Sequence, residues 1–228
     1  NACPLPFVRF RAYAAGMSTK ARILSASLAL LNEEGEANVS AVDIANALDI
    51  SPGNLYYHFK GKEAIIPALF ADFEEEMLMI LHASPKDIRA IEDQWIFAYI
   101  VLEEIWDFRF FYRNLDSILG RYPALAPKFK RLLQAKRKAI KANLQNLMKS
   151  GYLHIEPVLL DAMVEQMLLS FTYWLNLQEL ENRTGSAKHA IHQTVFQIMT
   201  LSVPYMGENG FAALQSMTRL LDENLNRA

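Results

Sequence analysis

The chain has 228 residues, 52% of them hydrophobic and 21% charged, so it can bury a substantial core and is not a disordered polypeptide. Its formal net charge of −2 at pH 7 excludes a protein that binds polyanions through overall charge, so any nucleic-acid contact must come from a local arrangement. The single cysteine, Cys3, excludes an internal disulfide and is consistent with a reducing, cytoplasmic location. No uninterrupted apolar run reaches the roughly 18–20 residues of a membrane span, and we predict no membrane partner.

The first segment, residues 1–16, precedes Met17, which has the character of a natural start. We interpret this segment as an extension or an expression remnant. A signal peptide is not predicted, because the segment has no apolar run of adequate length. Contact of Arg9 and Arg11 with a DNA minor groove is a lesser alternative.

From Thr19 onward the apolar residues recur at helical spacing, and no stretch alternates as a strand would. This pattern predicts an all-α fold of about ten helices, with a compact domain over residues 17–64 and a larger helical domain over residues 65–228. A helix over residues 62–81 is expected to join the two. Pro67 lies inside it, which predicts either a later start or a bend.

Two short helices joined by a tight turn are predicted over residues 40–59. Ser40 can cap the first, with Asp43 reaching back as in a capping box. Ser51 can cap the second, where Pro52 occupies the first helical position and loses nothing by lacking an N–H. Asp49 stands where the turn favours a left-handed residue. This is the spacing of a helix-turn-helix.

The second of these helices predicts a DNA-reading face. On a helical wheel Leu55 and Phe59 point toward the core, and the opposite face suits the floor of a major groove. Two lysines just beyond it supply positive charge. The outward residues are Gly53, Asn54 and Tyr57, the flanking residues are Tyr56 and His58, and the lysines are Lys60 and Lys62.

The segment from Asp43 to Glu63 resembles the DNA-binding domain of TetR-family repressors, most specifically in the run Leu55-Tyr56-Tyr57-His58-Phe59 followed by Lys62-Glu63. The specific resemblance is confined to the N-terminal domain, and the rest of the chain agrees with the family only in length and helical character. The resemblance departs at Val42, where the family often has a basic or polar contact. It implies that Tyr56, His58 and Lys62 contact phosphates, that Ser40 contacts the DNA backbone, and that Gly53, Asn54 and Tyr57 face bases. The full predicted DNA-contact set is Ser40, Ser51, Gly53, Asn54, Tyr56, Tyr57, His58, Lys60 and Lys62.

The C-terminal domain contains a segment, residues 158–180, that is apolar on nearly all faces and must be buried on every side. One of those sides is expected to be a partner subunit. We predict an isologous homodimer through residues 158–182 and 187–204, which would place two recognition helices one DNA turn apart. A monomer with a well-buried central helix is the alternative.

An aromatic-rich segment, residues 95–112, can line a pocket for an apolar or aromatic small molecule, as the family resemblance implies, or can simply form core. No cofactor or metal is predicted, since the pair His189 and His192 lacks supporting ligands. The basic residues within 128–141 read as a solvated helix face rather than a membrane or nucleic-acid surface. The candidate ligand residues are Trp95, Tyr99, Glu103, Arg109, Tyr112, Arg113, Trp174 and Asn176.

These features together predict a one-component transcriptional regulator rather than an enzyme. A dimer would bind a palindromic operator, and a small ligand in the C-terminal domain would release it; repression is the outcome that the resemblance implies. No nucleophile elbow, P-loop or dinucleotide-binding motif occurs in the chain. The alternatives are a ligand-independent DNA-binding protein and a helical enzyme that retains the helix-turn-helix as scaffold.

Overall fold

The computed structural model describes residues 18–83, 89–181 and 186–225, with the side chains of the last helix described as far as residue 219. Within these ranges the regular elements are helical, and the single β-bridge joins Leu153 to Met206. The predicted all-α class is therefore confirmed. The helices are α1 (Thr19–Glu34), α2 (Ala41–Ala47), α3 (Pro52–His58), α4 (Lys62–Ala83), α5 (Ile91–Asp107), α6 (Arg109–Arg113), α7 (Leu115–Arg121), α8 (Ala126–Lys149), α9 (Pro157–Leu180), α10 (Ala187–Thr200) and α11 (Glu208–Leu225).

Helices α1, α2 and α3 pack around a small apolar core that includes the fully buried Ile23, Ile44 and Leu55. Helix α4 begins immediately after Gly61, whose φ of +82° lies in the left-handed region that glycine adopts without steric cost. Pro67 lies in the second turn of α4, so the alternative of a later helix start is wrong. A proline there removes one backbone donor, and the burial of neighbouring Ile65, Ile66 and Leu69 offsets that loss.

The larger domain is built around an aromatic core between α4, α5, α6 and α8. Phe70 and Phe73 of α4 meet Phe111 of α6 with ring centroids 5.4 and 6.1 Å apart, and Phe70 lies 6.5 Å from Phe129 of α8. Beyond this core α8 packs on α9, and α5 packs on α10 and α11. Helix α4 contributes to both domains, as its predicted position requires.

Helix α9 is not buried on every side within one subunit. Its inner face, including Val164, Met167 and Phe171, is buried, whereas several large apolar side chains on its outer face are exposed. By length and composition α9 is also the one described helix that could cross a membrane, although half of its most apolar window is buried. Its ion pairs to α8, Arg137–Glu165 and Lys141–Asp161, fit a helix packed on a protein layer.

The start of α11 depends on a close backbone approach at Gly210. A Cβ atom added there would lie 2.8 Å from the carbonyl oxygen of Tyr152, which is backbone and cannot rotate away. We therefore expect Gly210→Ala to lower the free energy of unfolding by about 1–3 kcal/mol, the usual cost of overpacking. Urea denaturation measures this. Gly120→Ala is the control, since a Cβ at Gly120 meets nothing within 4 Å; equal midpoints for the two variants would contradict the expectation.

Candidate nucleic-acid interface

Short-range hydrogen bonds define the ends of α2 and α3. The Asp43 amide donates to Ser40 Oγ at 3.2 Å, and the Ser40 amide donates to the Asp43 carboxylate at 2.8 Å, which completes the predicted capping box. Ser51 Oγ accepts from the Asn54 amide at 3.1 Å, with Pro52 at the first helical position. Asp49 has a φ of 54°, the left-handed turn residue that the sequence indicates. The two helices are thus set by their own local residues.

Helix α3 presents one polar face to solvent and one apolar face to the core. Leu55 and Phe59 are buried, and Lys20 lies over the Phe59 ring. Tyr57 is 81% exposed, and Gly53 and Asn54 are exposed beside it. On the flanks Tyr56 is half exposed and His58 is half buried, the latter edge-on to Tyr57. We call the exposed residues Gly53, Asn54, Tyr56 and Tyr57 the recognition surface.

The lysines that follow α3 differ in their surroundings. Lys60 is exposed. Lys62 is only 14% exposed, and its ammonium donates to the carbonyl oxygens of Glu36 and Val39 and pairs with the Glu36 carboxylate at 2.9 Å. An ammonium has three N–H donors, and these acceptors use all of them. In this structure the Lys62 ammonium therefore holds the connection between α1 and α2.

Glu36 is the residue near this interface that sequence reasoning missed. It follows Gly35 in the 3-10 turn Glu36–Asn38 and is buried although charged. Burial raises the pKa of its carboxyl, but hydrogen bonds from Lys62 and Tyr122, with the charges of Lys62 and Arg121, outweigh burial and hold the pKa below its ordinary value. No local pattern marks this burial, since two of the partners lie far along the chain.

Two family comparisons match this chain. Residues 23–69 match the model of bacterial regulatory proteins of the tetR family, and residues 72–214 match the TetR model described as a bacterial transcriptional repressor. The chain belongs to the TetR family of transcriptional regulators. Members of this family are regulators rather than enzymes, in agreement with the prediction.

Individual relatives support the TetR-family assignment. A TetR-family transcriptional regulator from Marinobacter aquaeolei VT8 is 30% identical, with a TM-score of 0.80 over 88% of this chain and 97% of its own. The HTH-type transcriptional regulator UidR of Escherichia coli K12 is 26% identical over 155 residues, which is 68% of this chain and 78% of UidR. A transcriptional regulator from Saccharomonospora viridis, solved in complex with choline, shares the fold at 17% identity and a TM-score of 0.59, covering 79% of this chain and 95% of its own.

The eight candidate ligand residues of this TetR-family protein do not converge on one point. Tyr112 is buried toward α8, where Lys136 Nζ donates to its hydroxyl at 2.7 Å. Arg113 and Asn176 lie where α6 meets α9, and Asn176 Nδ2 donates to the Arg113 carbonyl at 3.2 Å. Trp95 is buried in the core and Glu103 is half buried. The Tyr99 ring lies 4.8 Å from the His192 ring between their centroids. Arg109 lies over the Trp106 ring, and the Trp174 ring centroid is 6.0 Å from that of Trp106.

Over the described ranges no group of three or more His, Cys, Asp or Glu side chains is arranged to hold a metal ion. His192 stacks on Tyr99, and burial lowers the pKa of its imidazole, followed in effect by the nearby Lys188 and His189. That environment favours a neutral packing residue.

Proposed function

We propose that this TetR-family regulator binds a palindromic operator as a homodimer, and that the recognition surface of α3 enters the major groove. The observation that carries the proposal is the outward face of α3: an exposed tyrosine, an exposed asparagine and a bare glycine on a helix whose two ends are set by local caps. Asn54 can hydrogen-bond a base edge, and Gly53 lets the backbone come close. Repression is the regulatory outcome we propose, in line with the matched family description.

The phosphate contacts that we propose come from residues that border the recognition surface. Ser40 and Ser51 are exposed at the starts of α2 and α3, and Lys60 supplies a solvated positive charge. Tyr56 and His58 lie on the flanks of α3. Val42 is exposed on α2 and is apolar, which suits contact with a thymine methyl group rather than a phosphate. Lys62 is left out of this set because protein acceptors occupy its ammonium.

The operator-binding proposal is tested by capture of fragmented genomic DNA at two salt concentrations. We expect selective, salt-sensitive capture of a few palindromic sites, and a loss of affinity of at least about tenfold in the Asn54→Ala/Tyr57→Ala variant, because each base contact contributes about 1–3 kcal/mol. The control is Gln145→Ala/Phe211→Ala, which truncates an exposed amide and an exposed aromatic ring in the other domain. Weak capture that is the same in all three proteins would refute operator binding.

We propose that the dimer forms through the outer faces of α9 and α10. The exposed apolar side chains there form a stripe at helical spacing, which would be solvent-exposed in a monomer. An exposed apolar patch of this kind is typical of a subunit interface. Its members are Val158, Leu159, Leu169, Tyr173, Leu177 and Leu180 of α9, with Phe196 of α10.

The interface is tested with Leu177→Asp, whose native side chain is half exposed in one subunit. A carboxylate buried at an apolar interface is strongly unfavourable, so we expect the variant to sediment as a monomer while the wild type sediments as a dimer. Met79→Asp on α4 changes a side chain of similar exposure outside this stripe and serves as the control. Dimers in both variants would place the interface elsewhere.

We propose further that an apolar or aromatic small molecule binds in the larger domain and releases the operator from the regulator in the cytoplasm. Support comes from the side of α9 that faces Trp106 of α5 and Arg113 of α6, where Trp174 Nε1 and Asn176 Oδ1 are buried and have no hydrogen-bond partner among the described residues. A mainly apolar or aromatic ligand that carries a polar group within reach of these atoms would recover their desolvation cost as binding affinity. The operator and the ligand should then weaken each other's binding by the same factor, which titration of each in the presence of the other measures.

A further inference from the structure

A buried carboxylate lies where the DNA-binding domain meets the larger domain. Glu36 is 2% exposed and belongs to the turn between α1 and α2, three residues after Glu33 and four before the Ser40 cap of α2. Neither α1 nor α2 uses the Glu36 side chain as a cap, since Ser18 caps α1 and Ser40 caps α2. A buried charge is strongly unfavourable unless it is paired, so its partners explain why it is tolerated.

Those partners come from both domains. Lys62, the first residue of α4, lies 2.9 Å from Oε1. Arg121, the last residue of α7, lies 3.1 Å from Oε1 and 3.0 Å from Oε2, and the Tyr122 hydroxyl donates to Oε1 at 2.9 Å. Glu36 therefore bridges the start of the linking helix and the end of α7. We call Glu36, Lys62, Arg121 and Tyr122 the junction cluster.

The two cations of the junction cluster are held differently. Lys62 is also bonded to two backbone carbonyls and is nearly buried, so it stays with the α1–α2 turn. Arg121 is 49% exposed and has water as an alternative partner. The Arg121–Glu36 ion pair is thus the part of the cluster that solvent can break, whereas the Tyr122 hydroxyl bond from the same end of α7 is buried.

A second polar contact holds the end of α1 to the larger domain. Asn32 Nδ2 donates to the Asp107 carbonyl at 2.7 Å, and Asn32 Oδ1 accepts from the Phe110 amide at 3.1 Å, across the break between α5 and α6. Arg113 Nη1 donates to the Asn32 carbonyl at 3.1 Å, and its own carbonyl accepts from Asn176 of α9. Contacts therefore run without interruption from α9 through α6 to the end of α1.

We infer that Glu36 is a positioning residue: its bond to Arg121 fixes α7 against the turn that leads into α2, so that the orientation of α2 and α3 follows α6 and α7. The inference rests on the proposed function, because orientation of the reading helices matters only if they read DNA. Asn32 keeps the end of α1 in place during such a change, since its side-chain bonds are to backbone atoms at the break between α5 and α6. The junction cluster holds α7 against the turn before α2 only while Arg121 keeps its bond to Glu36, which water can replace.

The test measures the position of one domain against the other directly. Spin labels at Asn46 on α2 and Gln145 on α8, both exposed, are introduced in a Cys3→Ser background and diluted with unlabelled protein, so that each distance is within one subunit. We expect one narrow distance distribution in the otherwise unchanged protein. Arg121→Gln should broaden it and lower operator affinity several-fold, and Arg121→Lys should restore much of both.

Matched variants separate positioning from general destabilisation. Arg131→Gln breaks an Arg–Glu ion pair of similar length, 3.2 Å to Glu74, wholly within the larger domain, and should leave the distribution narrow. Tyr122→Phe removes one hydroxyl from the junction cluster at constant shape and should broaden the distribution less than Arg121→Gln does.

An unchanged distribution in Arg121→Gln would overturn the inference, whatever happens to DNA binding. If no tested protein, the unchanged one included, captures DNA selectively, the proposed function fails, and the label distances still decide whether Glu36 holds the two domains together.

Discussion

Replacement of Lys62 by methionine is expected to lower the free energy of unfolding by up to about 3–5 kcal/mol, the cost of removing one partner from a buried ion pair, because Arg121 and Tyr122 compensate the remaining carboxylate only in part. The Glu36 carboxylate is almost fully buried and would lose its nearest cation. The carbonyl oxygens of Glu36 and Val39 would lose their side-chain donor at the same time. Methionine keeps most of the side-chain volume, so the loss would report on charge and hydrogen bonding rather than on a cavity.

Urea denaturation of the Lys62→Met and Lys60→Met variants distinguishes a structural lysine from a DNA-contacting one. Lys60 is exposed, so its replacement should leave the urea midpoint nearly unchanged and weaken only salt-sensitive DNA binding. If Lys62→Met unfolds at the wild-type midpoint, Lys62 is not a structural residue, and its role as a phosphate contact would have to be reconsidered. For the same reason DNA-binding tests should use Asn54 and Tyr57 rather than Lys62.

A second large effect is expected from Glu104→Gln, which should abolish a loss of stability that the wild type undergoes as the pH rises. Burial raises the pKa of the Glu104 carboxyl, and the charges of Glu76 and Asp107 with a hydrogen bond to Glu76 raise it further. The positive charge of Lys136 opposes these effects only in part, so the pKa of Glu104 reaches about 9. The unfolded chain ionises this group near its ordinary value of 4.5. Between these values the folded state retains a proton that the unfolded state releases, so stability falls with rising pH.

The range from pH 5 to pH 7 isolates the Glu104 effect. Burial lowers the pKa of the Lys136 ammonium to about 7, so Lys136 makes the opposite contribution, a rise in stability with pH, only above that value. One proton corresponds to about 1.4 kcal/mol per pH unit, so the stability of Glu104→Gln relative to wild type should increase by roughly 2–3 kcal/mol from pH 5 to pH 7. Glutamine supplies the neutral group at all pH values.

Urea midpoints of both proteins at pH 5, 6 and 7 provide the measurement. Glu92→Gln, an exposed position on the same helix, is the control and should follow the wild-type curve. Parallel curves for Glu104→Gln and wild type would show that Glu104 is already ionised in the folded protein, and that Lys136 rather than a proton neutralises it.

The ends and faces of the two short helices were predictable from the sequence because each depends on residues a few positions apart. Ser40 with Asp43, Ser51 with Pro52, and the left-handed Asp49 act within single turns, and the structure has all of them as predicted. The inward side of α3 follows from helical periodicity, which places Leu55 and Phe59 on one side. Such features need no knowledge of the rest of the fold.

The direction of the Lys62 side chain at the start of α4 could not be predicted from the sequence. Helical spacing predicts that Lys62 begins a helix, but it contains no information about whether the ammonium turns toward DNA or toward Glu36. That direction depends on a carboxylate whose own burial requires Arg121 and Tyr122, far along the chain. The directions of the candidate ligand residues could not be predicted either. The neighbouring residues Tyr112 and Arg113 of α6 bind different helices, Tyr112 contacting Lys136 of α8 and Arg113 contacting Asn32 of α1.

The sequence by itself therefore determined the all-α class of this protein, the caps of α2 and α3, and the outward face of α3. These features are set by backbone geometry and side-chain spacing over one or two helical turns. The tertiary structure alone decided which charges are buried, which apolar face of α9 is left uncovered, and how α7 is joined to the turn before α2. The physical reason is that burial and pairing of charge depend on distances between residues remote in the chain, and no periodicity within a single helix encodes those distances.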